Sequence, residues 1–124
     1  MPARSNRRKL QEAQITVGST AASGTTGFSE SAGSFDAVTY VVNLTTLTAG
    51  SITFVIQGSA DGTNFYDLAT AEMTGDTGAV ATTGAKHVSS NAPLGFACRL
   101  KYTIVTGPAA FTVDPIFQKG GSVY

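Results

Sequence analysis

The side chains able to do chemistry in this 124-residue chain are few and scattered. Cys98 is the one cysteine and His87 the one histidine. That pair cannot supply the Cys/His ligand set of a zinc site, and a lone cysteine forms no intrachain disulfide. A Cys98–His87 nucleophile and base would need a third, orienting group. Cys98 instead alternates with Phe96, Leu100 and Tyr102, the pattern of a small core residue, and His87 reads as a surface or loop residue. Asp61, Asp67, Glu72 and Asp76 are close in sequence, but they lack the dense oxygen-ligand spacing of a calcium loop. Paired carboxylates for glycoside cleavage carry no sequence mark here. The expectation is therefore a non-enzymatic protein with no catalytic residues, no metal and no cofactor.

Charge gives a second lead. Arg4, Arg7, Arg8 and Lys9 put four cations into the first nine residues. The rest of the chain sets Lys86, Arg99, Lys101 and Lys119 against all eight acids, so a basic segment is tethered to a mildly acidic body and the total is zero. Four charges without a basic face on the body make a poor footprint for nucleic acid, which is not expected as a partner. An arm guided onto a negatively charged protein surface fits better. The Gly-rich stretch 18–27 lacks the lysine and strand–helix setting of a phosphate loop. Without tryptophan, and with no aromatics interleaved among basic residues, there is little to stack sugars or bases. No apolar run approaches the ~20 residues of a membrane helix. The basic start leads into Leu10-Gln11-Glu12 rather than the hydrophobic stretch of a secretory signal. Charged residues are only 13% of the chain, so a Thr/Ser/Ala/Gly surface is better suited to being covered by neighbours than to staying dispersed.

The elements that must position these residues read as strands. Residues 50–68, GSITFVIQGSADGTNFYDL, predict a hairpin in which Ile52, Phe54 and Ile56 share one face and Thr53, Val55 and Gln57 the other. Asp61-Gly62 forms its turn: Gly accepts positive φ, and the Asp oxygen can take a backbone N–H further on. Phe65 is expected to return to the apolar face. Residues 35–47 predict a central strand, with Val38, Tyr40, Val42 and Leu44 on one face and further apolar residues on the other. Residues 94–106 predict another, with Phe96, Cys98, Leu100, Tyr102 and Ile104 inward and Arg99 and Lys101 outward, facing solvent or an acidic partner. Shorter strands are expected at 12–17, 25–30, 78–82, 85–89 and 110–117, with turns at Gly75-Asp76, Thr83-Gly84 and Gly107-Pro108 and a corner at residues 91–93. The fold class is all-β: a two-sheet antiparallel sandwich, jelly-roll or Ig-like, spanning residues 12–118, with an extended or disordered arm at 1–11 and a short tail at 119–124. A small closed barrel is the alternative. The expected core is Phe54, Ile56, Phe65, Phe96, Leu100, Tyr102 and Phe111.

The segment Gln57-Gly58-Ser59-Ala60-Asp61-Gly62-Thr63-Asn64-Phe65-Tyr66-Asp67-Leu68 resembles a hairpin of small β-sandwich structural proteins of tailed bacteriophages. There a G-S-x-D-G-T-N-[FW]-x-D-L pattern follows an x-V-x-G strand, and the upstream strand VTYVVNLTTLTAGSITFVIQGS looks similar to that group too. The resemblance covers about a third of the chain. It implies a virion component, foremost a capsid decoration (cement) protein made in the host cytoplasm and carried on the capsid exterior. The implied partners are the major capsid protein and copies of itself, as a homotrimer or another small oligomer, with no membrane partner. The arm residues Arg4, Arg7, Arg8, Lys9 and Leu10 would then make the capsid contact, and Asp61 and Gly62 the hairpin turn. A tail, neck or head-fibre component is the nearest alternative. A carbohydrate-binding adhesion module, using Tyr40, Tyr66 and Tyr124 as exposed aromatics, is the second. The Asp-box of sialidases separates the Asp and Gly that are adjacent here as Asp61 and Gly62 and carries tryptophan in place of Phe65; the discoidin-type hairpin carries that tryptophan and flanking disulfide cysteines, which this segment lacks.

Overall fold

A computed structural model describes residues 8–27, 29, 35, 37–91 and 95–119, with the backbone alone at 8, 9 and 119. It is an antiparallel two-sheet β-sandwich. Its strands are β1 (Arg8–Gln11), β2 (Ile15–Thr20), β3 (Gly24–Thr25), β4 (Ala37–Leu47), β5 (Gly50–Ser59), β6 (Tyr66–Asp67), β7 (Met73–Gly75), β8 (Gly84–Ser90), β9 (Ala97–Thr106) and β10 (Ala109–Lys119). One sheet runs β1-β10-β4-β8-β7, with β2 also paired to β10; the other runs β3-β9-β5-β6. The one helical turn among the described residues is a 3-10 turn at Thr70–Glu72.

The long strands form where alternation is cleanest. In β4, Val38, Tyr40, Val42 and Leu44 are buried on the inner face, and β10 and β8 flank it as expected of a central strand. In β5, Ile52, Phe54 and Ile56 face inward and are fully buried. Strand β5 pairs with β9 over its whole length, from Gly50↔Thr106 to Ser59↔Ala97. The facing sheets meet through aromatic edges. Phe111 of β10 lies 5.4 Å from Phe54 and 5.1 Å from Tyr102, both nearly perpendicular, the geometry that the ring quadrupole favours.

Two residues expected in the core lie elsewhere. Phe96 is 42% exposed because β9 begins at Ala97: the sequence alternation runs one step beyond the end of the strand. Phe65 is half-buried on the outer face of the four-stranded sheet, beneath the Arg99 guanidinium. The strand expected at 78–82 is a single bridge, Ile52↔Val80, and that at 25–30 is reduced to β3 with a bridge at Ser29. The strand expected at 12–17 lies later, as β2 at Ile15–Thr20. Four residues of the expected arm, Arg8–Gln11, form β1 and pair with Ile116–Lys119 of β10. Arg4, Arg7, Phe28, the corner at 92–93 and the tail at 120–124 lie outside the described residues.

Candidate functional site

Cys98 and His87 are not brought together. Cys98 points inward from β9 and is completely buried, its Sγ 3.1 Å from the Tyr40 hydroxyl. Burial pushes its thiol up to about 11, an effect the Tyr40 hydrogen bond reduces and the nearby Glu12 carboxylate adds to. The Tyr40 hydroxyl is likewise raised, chiefly by burial. A thiol so rarely ionised at neutral pH is a core group, not a nucleophile. His87 is exposed on β8. Its backbone N–H donates to Asp76 Oδ2 at 3.0 Å, and its ring Nδ1 lies 3.9 Å from the same oxygen. Among the described residues no three His, Cys, Asp or Glu side chains gather as a metal site.

Asp61 is used up within its own turn. Its Oδ1 accepts the backbone N–H groups of Thr63 and Asn64, both at 2.8 Å, and the Ser59 hydroxyl at 3.1 Å. Its Oδ2 accepts the Asn64 side-chain amide at 2.9 Å. Ser59 Oγ in turn accepts from Gly62 N–H at 2.9 Å, and Gly62 takes φ +76°. These bonds, led by the Asn64 N–H, hold the Asp61 carboxyl well below the usual carboxylate range. The Ser-x-Asp-Gly-x-Asn run is therefore a self-contained turn that closes the β5–β6 end, with the structural role its sequence implied.

Beside this turn the outer face of the four-stranded sheet carries a polar chain linking three strands. Gln57 of β5 donates from Nε2 to Asp67 Oδ1 of β6 at 2.7 Å and accepts from Arg99 Nε of β9 at 2.7 Å. Lys101 Nζ donates to the other Asp67 oxygen at 2.6 Å, and these bonds lower the Asp67 carboxyl, Lys101 first. Gln57 is the member that sequence reading missed. Its type and outward parity look like a solvated strand position, yet it is 7% exposed because its neighbours cover it.

A concavity of about 430 Å³ lies where the β1–β2 edge approaches Gly27 and Ser29. Leu10, Ala13, Ile15 and Pro115 give it apolar walls, with Glu12 and Tyr40 also lining it. Glu12 is anchored by its backbone N–H to the Pro115 carbonyl at 2.9 Å. Of the arm residues read from sequence, Arg8, Lys9 and Leu10 lie on β1, the edge strand, and Leu10 is 38% exposed at this groove. Of the aromatics considered for glycan stacking, Tyr40 is buried, Tyr66 is exposed and Tyr124 lies outside the described residues. Burial removes Tyr40 from that role. Compared with protein-family models, curated proteins and solved structures, the chain matches none of them.

Proposed function

We propose that this chain is a non-enzymatic virion structural protein that binds and stabilises the outer surface of a phage capsid as a decoration protein. The observation that carries the reading is the Ser51–Leu68 hairpin and its resemblance to those sandwiches. The placement of the basic segment supports it: Arg8 and Lys9 lie on β1, an edge strand of the six-stranded sheet, and an edge strand offers free backbone groups to a neighbouring chain. The cations at Arg4 and Arg7 precede it in sequence. A mildly acidic body with few charges and many small surface residues suits close packing against sister copies and capsid subunits. Many weak contacts repeated over a symmetric shell add up through avidity.

The test is co-sedimentation of the full chain with undecorated heads of its phage, beside a chain lacking residues 2–7, so that β1 and the groove stay intact. Saturable binding that weakens without those residues is the expected result. Absence of binding by the full chain would overturn the capsid assignment and favour the tail or neck.

A further inference from the structure

The polar chain on the four-stranded sheet leaves one group unspent. Asp67 gives both carboxylate oxygens away, one to Gln57 and one to Lys101, so the Lys101 charge is neutralised in place. Arg99 is held differently. Its Nε–H is bonded to Gln57 Oε1, and its guanidinium carbon sits 3.9 Å over the Phe65 ring. A hydrogen bond through Nε and a ring within cation–π reach together hold the guanidinium. Neither Nη donates a hydrogen bond to any described residue. The two Nη groups form the part of arginine that pairs with a planar two-oxygen acceptor.

We propose that Arg99 is a carboxylate-recognition site, built to receive an Asp or Glu side chain of a partner protein docking on the outer face of the four-stranded sheet. The register lays out the surrounding surface: Gln57 lies beside Arg99, Val55 beside Lys101, Thr53 beside Thr103 and Ser51 beside Val105. Apart from Arg99 and the paired Lys101 and Asp67 these positions are uncharged and partly apolar, with Val105 58% exposed. Arg99 stands at the end of this row nearest β6, over an aromatic ring, and arginine is among the residue types that most often carry an interface. Because the guanidinium is already held, a bound carboxylate costs less side-chain freedom than it would on a free arginine. A polyanion such as nucleic acid is disfavoured by Asp67 on the same face and by the acidic body. A single carboxylate matches the single unspent fork. This contact is separate from the basic arm and does not depend on the capsid reading.

The test uses the full 15N-labelled chain, following the Arg99 side-chain signals and nearby amides by NMR. The titrants are N-acetyl-glutamate amide, its glutamine analogue and inorganic phosphate, at matched ionic strength. The glutamate probe should give saturable shifts centred on Arg99 and Phe65, with the glutamine analogue roughly tenfold weaker or more. Arg99→Lys, which keeps the charge and loses the fork, should weaken the glutamate probe by about tenfold. Equal shifts from both amino-acid probes, tighter binding of phosphate, or undiminished binding by a folded Arg99→Lys chain would each overturn the assignment. The comparison of probes on the unmodified chain does not depend on any variant folding.

Discussion

Cys98 should be almost inert to thiol reagents until the whole sandwich opens. A free thiol with pKa ~8.5 is about one-quarter ionised at pH 8. With its pKa at about 11, Cys98 is ionised roughly 200-fold less. The greater intrinsic nucleophilicity of a more basic thiolate offsets about tenfold of that, so ionisation alone leaves roughly 20-fold protection. Access adds the rest. Cys98 is 0% exposed and sits between Tyr40 and the β9–β5 pairing, so a reagent must wait for opening. Even a stability of only ~5 kcal/mol populates the open chain at about one part in several thousand. The assay is modification by a disulfide reagent at pH 8 across a urea series, with the unfolded chain as reference. Native protection of about a thousandfold or more, collapsing along the unfolding transition, is the expected outcome. Protection of tenfold or less, or a rate flat in urea, would refute the argument that β9 buries this thiol in the shared core.

Tyr40→Phe removes the hydroxyl bonded to Cys98 and should cost about 1 kcal/mol in urea unfolding. A double-mutant cycle with Cys98→Ala should return a coupling of at least ~0.5 kcal/mol, and strict additivity would show the contact to be idle. Gly50→Ala should destabilise by about 2 kcal/mol or more, since Gly50 takes φ +78° and an added Cβ would run into the Val105 carbonyl oxygen; an unchanged urea midpoint would count against this β4–β5 turn geometry. Asp61 and Asp67 both have lowered carboxyl pKa values. Their stabilisation is therefore full above the unfolded value near ~4 and is lost as pH falls below it. Asp61→Ala should lower the Tm at pH 7 and make stability less sensitive to pH between about 4 and 2; an equal Tm would mean that the turn forms without its carboxylate.

The strands that alternate without interruption were legible from residue order alone. In β10, from Val38 to Leu44 of β4 and from Ile52 to Ile56 of β5, a period of two separates the buried set from the rest, because successive side chains leave a strand on opposite faces. The Asp61-Gly62 turn was legible for a similar reason: its hydrogen bonds join residues at most three apart, so no distant segment can alter them. Local order failed where a long-range partner decided the outcome. Phe96 continues the apolar alternation, but where β9 begins is set by its pairing with β5, which places Ala97 against Ser59. Phe65 left the core because Arg99, 34 residues later in number, offered its guanidinium above the ring. Gln57 became a buried junction because β6 and β9 bring it a carboxylate and a guanidinium. Arg8–Gln11 read as a polar tether, yet the outer edge of β10 supplied the hydrogen bonds that make it a strand. Backbone and polar side-chain pairing across sheets are satisfied by whatever the fold brings near, so tertiary structure alone decided these positions.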